Sequence, residues 1–299
     1  MDNALVSNIF TFTILHKMNI NSICVCGAGT MGSGIAQAAA QSGFATILYE
    51  PNQDVLEKAK NSIKKNLETL TVKGKITDEE KEKVIQYIRF TDDIQTCLAD
   101  IFIEAIIEKL SVKIALFNQL AELNHSDCIF ATNTSSLSVT HIAAGVQRPE
   151  RVIGMHFFNP ATIMKLVEVV NTCYTNDQTT STIVELAKQM NKIPVICRDS
   201  PGFIVNRVAR PYYIESLRLA EEDVSAFTQI DLLLEASGFK MGPFKLMDLI
   251  GNDVNYAVSC SVYEQLNNPE RLRPSVIQKK KVDSGELGRK TKKGYYDYE

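Results

Sequence analysis

The sequence has no tryptophan, and its 299 residues include only four histidines and nine prolines. It also lacks any excess of charge, with 32 Lys+Arg against 35 Asp+Glu. Such a balance sets up no strong field toward nucleic acid or an anionic membrane. No apolar run reaches the roughly 18 residues a membrane-spanning helix needs, so neither a membrane nor a nucleic acid is an expected partner. The seven cysteines, Cys24, Cys26, Cys97, Cys128, Cys173, Cys197 and Cys260, show neither C-x-x-C nor Cys/His zinc spacing. They read as reduced thiols of a cytoplasmic protein, and no metal site is expected. Cys24 and Cys26 share one face of an apolar strand, which suits small buried hydrophobes.

What is present is an apolar fraction of 45%, too high for a disordered chain and enough for about two domains at roughly 150 residues each. Residues 1–17 carry one Lys, one Asp and no Arg, which fits neither a mitochondrial presequence nor a secretory signal. They are read as a leader of unclear status, with Met18 as a candidate natural start.

From residue 18 to 199, short β-branched runs alternate with amphipathic helical stretches, the pattern of βαβ units and a mainly parallel, doubly wound α/β sheet. The expected strands are 23–26, 46–49, 101–105, 128–131, 152–156, 166–170 and 195–197. Between Asp54 and Ile88 lie two helices joined at Lys73-Gly74-Lys75, a hairpin protruding from the first domain. The second of these opens on Thr77-Asp78-Glu79-Glu80, a capping box. From residue 200 to 299 strand signals nearly vanish, which predicts a smaller all-helical domain. Its first helix is expected to open at Pro201-Gly202 and to kink at Pro211. Lys279-Lys280-Lys281 reads as a solvated helix face.

The first strand runs into Gly27-Ala28-Gly29-Thr30-Met31-Gly32, a G-x-G-x-x-G on a strand-to-helix turn. Gly27 permits the tight turn, Gly29 lets the backbone approach a pyrophosphate, and Gly32 lets helix and strand pack closely. The helix N-terminus offers free amides to the phosphates. Glu50 ends the second strand, where a carboxylate meets the adenosine ribose hydroxyls and repels a 2′-phosphate, favouring NAD over NADP. The plainer reading is a Gly-rich packing turn beside a surface acid.

Of the histidines, His16, His125 and His141 have polar or terminal surroundings. His156 ends the apolar strand Val152-Ile153-Gly154-Met155, at the carboxyl edge where doubly wound sheets bind ligands. A histidine in such a strand is more often a satisfied core residue, but the next strand embeds Glu168 among aliphatic residues, where a carboxylate needs a partner. If the two strands are neighbours, Glu168 fixes the His156 tautomer and leaves the second ring nitrogen for substrate. Asn133-Thr134-Ser135-Ser136 also falls at the carboxyl edge, with helix capping as its plainer role. Asn206 sits on an apolar helix face as either a structural amide or a donor to a substrate oxygen.

Together these segments resemble the short-chain L-3-hydroxyacyl-CoA dehydrogenase family, including 3-hydroxybutyryl-CoA dehydrogenases. The likeness rests on GAGTMGSGIAQ, EAIIEK, ATNTSSLSVT, VIGMHFFNP, MKLVEVV, DSPGFIVNR, MGPFKLMDLIGNDVN and GRKTKKGYYDY, in that order. The resemblance implies acid-base catalysis by His156 and Glu168, with Ser135 and Asn206 around the substrate's C3 oxygen. It implies cofactor contacts at Glu50, Glu108, Lys113, Ser135, Asn159 and Lys290, besides the glycine turn. It places CoA contacts on Asn66 and Lys73, and suggests a homodimer formed through the helical domain. Two other functions remain open: a related dehydrogenase of non-CoA 3-hydroxy acids, and a non-catalytic NAD-binding protein. A larger multifunctional β-oxidation enzyme is not expected at this length.

Overall fold

The structure is a computed structural model and describes residues 20–299. The leader assigned to residues 1–17, Met18 and His16 lie outside the described residues.

An eight-stranded sheet forms the larger part. Along the chain come β1 (Ser22–Cys26), α1 (Thr30–Gln41), β2 (Ala45–Tyr49), α2 (Gln53–Val72), α3 (Asp78–Gln86), β3 (Ile88–Thr91), β4 (Ile101–Glu104), α4 (Leu110–Leu123), β5 (Ile129–Thr132), α5 (Val139–Ala144), β6 (Val152–Phe157), β7 (Leu166–Asn171), α6 (Asp177–Gln189) and β8 (Ile193–Arg198). The spatial order β3-β2-β1-β4-β5-β6-β7-β8 begins with the 3-2-1-4-5-6 order of a dinucleotide-binding sheet. All neighbours run parallel except β6 and β7. The central strands are buried on both faces, as their unbroken apolar runs require. Cys24 and Cys26 are fully buried there, with their sulfurs 3.9 Å apart.

The helical hairpin is α2 and α3, and the capping box closes both ways: Thr77 Oγ1 accepts from the Glu80 amide while Glu80 accepts from the Thr77 amide. The second helix is shorter than expected. It ends at Gln86, and Ile88–Thr91 adds a parallel edge strand in register with β2, Thr46 opposite Ile88. Arg89 hides this strand from the hydrophobic pattern, because an edge strand with a solvent-facing side tolerates a charge.

The helical part comprises α7 (Val205–Glu221), α8 (Phe227–Ala236), α9 (Pro243–Ile250), α10 (Asn252–Gln265) and α11 (Val276–Asp283). The expected start of α7 at Pro201 is four residues early. Gly202 at φ 74° and Phe203 at φ 48° are left-handed, so no helix can run through them. Pro211 stands inside α7 without ending it. The apolar core here is small, centred on Tyr213, Leu217, Ile230, Phe244, Met247 and Tyr295.

Because β1, β2, β4, β5 and β6 are parallel, their carboxyl ends share one edge. Gly27, Glu50, Glu104, Asn133 and His156 therefore converge there from distant parts of the chain.

Candidate active site

The glycine turn is shaped by close approach. Gly27 has φ 99°, and a side chain there would start 2.6 Å from the Ala105 carbonyl oxygen. A Cβ at Gly32 would sit 1.7 Å from the Gly27 carbonyl, so helix and strand could not pack. Gly29 faces open space and caps α1 with no side-chain partner for the helix amides. Those amides are free for an anion. The Glu50 carboxylate accepts from the Ala28 amide at 3.1 Å and the Asn52 amide at 3.2 Å, which sets it directly beside the turn. Gly29, Thr30, Ser33, Ser62, Asn66 and Asn159 line a groove of about 280 Å³ above α1. The turn, its free amides and Glu50 fit the pyrophosphate and ribose of a dinucleotide.

His156 and Glu168 are directly opposite each other on the antiparallel pair β6 and β7. His156 Nδ1 lies 2.7 Å from Glu168 Oε2, and the residues are 5% and 1% exposed. With Nδ1–H donated to the carboxylate, the neutral ring carries its lone pair on Nε2. Phe158 and Phe203 flank the ring at centroid distances of 4.8 and 5.6 Å, which fixes its plane. The second oxygen of Glu168 accepts from the Ile204 and Val205 amides at 2.9 and 2.8 Å, the unsatisfied first turn of α7. Desolvation alone would raise the Glu168 carboxyl; the His156 bond and these two amides outweigh it and hold the group below its ordinary value. One carboxylate thus orients the imidazole and anchors the helix that carries Asn206, one residue beyond Val205. Sequence reasoning missed this second role, although a buried carboxylate has two oxygens to satisfy.

The Asn133–Ser136 turn is held by Glu108, whose Oε1 accepts from the Ser135 and Ser136 amides at 3.2 Å each, from Ser136 Oγ at 2.9 Å and from Thr134 Oγ1. Asn133 Oδ1 accepts from the Phe157 amide at 2.8 Å, joining the turn to the end of β6. Helix capping falls to Ser138, not to this turn. From the helical part, Gln265 Nε2 reaches the Ser136 carbonyl at 2.8 Å.

Lys113 is fully buried and lies between Glu104, at 2.5 Å, and Glu108, at 3.1 Å. Glu104, which no sequence signal singled out, is itself completely buried. Asn66 and Lys73 part company: Asn66 faces the groove over α1, while Lys73 borders a separate surface depression with Lys64, Lys65 and Val72. Lys290 is paired with Asp253 of α10 at 2.6 Å.

Residues 22–200 match the 3-hydroxyacyl-CoA dehydrogenase NAD-binding domain, and residues 202–298 match the 3-hydroxyacyl-CoA dehydrogenase C-terminal domain. The chain is 46% identical over 283 residues to a 3-hydroxyadipyl-CoA dehydrogenase of Escherichia coli; the match covers 94% of this chain and 60% of that protein's length. It is 40% identical over 278 residues to a 3-hydroxybutyryl-CoA dehydrogenase of Clostridioides difficile, covering 92% of this chain and 99% of that one. The crystal structure of an (S)-3-hydroxybutyryl-CoA dehydrogenase from Ralstonia eutropha superposes with a TM-score of 0.90 at 34% identity, covering 94% of this chain and all of that one.

Proposed function

The chain belongs to the 3-hydroxyacyl-CoA dehydrogenase family, and from that membership we propose that it interconverts (S)-3-hydroxyacyl-CoA and 3-ketoacyl-CoA, with short acyl chains such as 3-hydroxybutyryl and acetoacetyl as substrates. The observation that carries the reading is the buried His156–Glu168 pair at the carboxyl edge, with Nε2 left for substrate.

Gly27, Gly29 and Gly32, with the first amides of α1 at Thr30 and Met31, hold the dinucleotide's pyrophosphate, and Glu50 holds its adenosine ribose. Bound NAD supplies the hydride acceptor for C3 of the substrate. In the oxidation direction His156 Nε2 takes the proton of the C3 hydroxyl. Glu168 stabilises the positive charge the imidazole gains and keeps the ring in register. Ser135 and Asn206 hold the C3 oxygen as it becomes a carbonyl, and reduction runs the same proton path backward. Glu108, Asn159 and Lys290 border the cofactor, while the fully buried Lys113 bears on it only through Glu108; Asn66 contacts the CoA moiety, and Lys73 serves it from outside the main groove.

Residues 18–199 then form the cofactor domain and 200–299 the substrate and dimerisation domain. The homodimer reading is supported by Val208, Leu232, Leu233 and Phe239, which the helical part leaves exposed. Steady-state reduction of acetoacetyl-CoA, run with NADH and NADPH in parallel and then with free acetoacetate, tests the function. NADH-dependent turnover of the CoA ester alone is expected. Equal turnover of free acetoacetate would favour the non-CoA hydroxy acid reading instead.

A further inference from the structure

Three charged side chains, Glu104, Lys113 and Glu108, form a continuous chain from the end of β4 to the Ser135 turn. A fully buried carboxylate is costly unless each oxygen is satisfied. Glu104 Oε1 accepts from Lys113 Nζ at 2.5 Å and from the Ile106 amide at 2.8 Å, and Oε2 accepts from Thr132 Oγ1 at 2.7 Å. Thr132 Oγ1 in turn accepts from the Thr134 amide at 3.2 Å. Lys113 passes from Glu104 to Glu108, and Glu108 grips the Thr134, Ser135 and Ser136 segment from the other side. The turn that carries Ser135 has no regular secondary structure, so side-chain contacts hold it, and Glu104, Lys113 and Glu108 supply those on the strand side, beside the Asn133–Phe157 and Gln265–Ser136 bonds.

We propose that Glu104 is a positioning residue for the reaction: through Lys113 and Glu108 on one side and Thr132 on the other, it sets where Ser135 meets the substrate's C3 oxygen. An all-apolar strand end would fill the centre of the sheet without the cost of burying the Glu104–Lys113 ion pair. The charges are therefore retained for the geometry they impose on the turn, not for the stability of the core. The inference rests on the proposed role of Ser135.

The test uses Glu104→Gln and the nearly isosteric Thr132→Val, each alone and combined with Ser135→Ala, in acetoacetyl-CoA reduction. Each single change is expected to lower kcat by about 10- to 100-fold, the scale of a small misplacement at a reacting centre, with KM for NADH changed less than about threefold. In the Ser135→Ala background the further loss should shrink to about twofold or less, because the two residues act as one unit. Wild-type kcat in either variant, or the same loss in both backgrounds, overturns the proposal; if Glu104→Gln does not fold, Thr132→Val decides. Amide hydrogen exchange of the 133–139 peptide supplies a readout independent of activity. It should quicken in both variants, and unchanged exchange there also overturns the proposal. An inactive wild type would instead overturn the functional reading, and the exchange result would stand by itself.

Discussion

The two parts of the molecule both bury carboxylates, and use them differently. In the sheet-containing part, the buried Glu168 grips His156, the buried Glu104 braces the Ser135 turn through Lys113 and the more exposed Glu108, and the half-buried Glu50 lies against the glycine turn. All of them stand at the carboxyl edge and hold a side chain or turn given a role in the chemistry. In the helical part, Asp231 accepts from the Phe244 and Lys245 amides at the start of α9 and from the Tyr296 hydroxyl. Asp248 accepts from Asn252 Nδ2, from the Tyr295 and Tyr296 amides and from the Tyr298 hydroxyl. These two pin a helix start and the chain's last segment around a small apolar core. The larger part has apolar surface enough for stability and spends its carboxylates on the site, whereas the smaller part uses them as internal staples.

The largest expected separation comes from Glu168→Gln. It should lower kcat for acetoacetyl-CoA reduction by about 10²-fold or more, the scale of a lost acid-base partner, because an amide cannot stabilise the imidazolium equally. Turnover unchanged across pH would remove Glu168 from the proton path.

Asp248→Asn should do the opposite. Its amide nitrogen can no longer accept from a buried N–H or hydroxyl, so stability should fall by about 1–3 kcal/mol, read as a lower urea midpoint, while kcat of the folded fraction stays near wild type. A large kcat loss with unchanged stability would erase the contrast between the two parts.

The smallest effect is on acid stability. The Glu168 carboxyl is held below its ordinary value of 4.5, so its stabilisation is complete above that value and is lost as pH falls through the lower folded-state value. The gap in melting temperature between wild type and Glu168→Gln should therefore narrow as pH falls below the carboxyl's ordinary value. A gap that widens in acid would contradict the assignment.

Much of the site was legible because its signals are local. The glycine turn reads directly from strand, spacing and helix. The facing of His156 and Glu168 follows from two adjacent strands that each carry one polar residue in an apolar run. What was not legible depends on contacts between distant segments. Glu104 looks like any acid after a strand until Lys113 and Thr132 are seen to converge on it. Asp231 and Asp248 sit in amphipathic helices where an acid ordinarily faces water, and only the fold turns them inward. The late start of α7 escaped for a different reason: nothing in Phe203 itself announces a left-handed backbone.

The most direct test of the central claim compares wild type and His156→Gln in acetoacetyl-CoA reduction with NADH, alongside a fluorescence titration of NADH binding. Loss of about 10²- to 10⁴-fold in kcat with NADH affinity largely kept is the predicted result. Near-normal turnover in His156→Gln would contradict it.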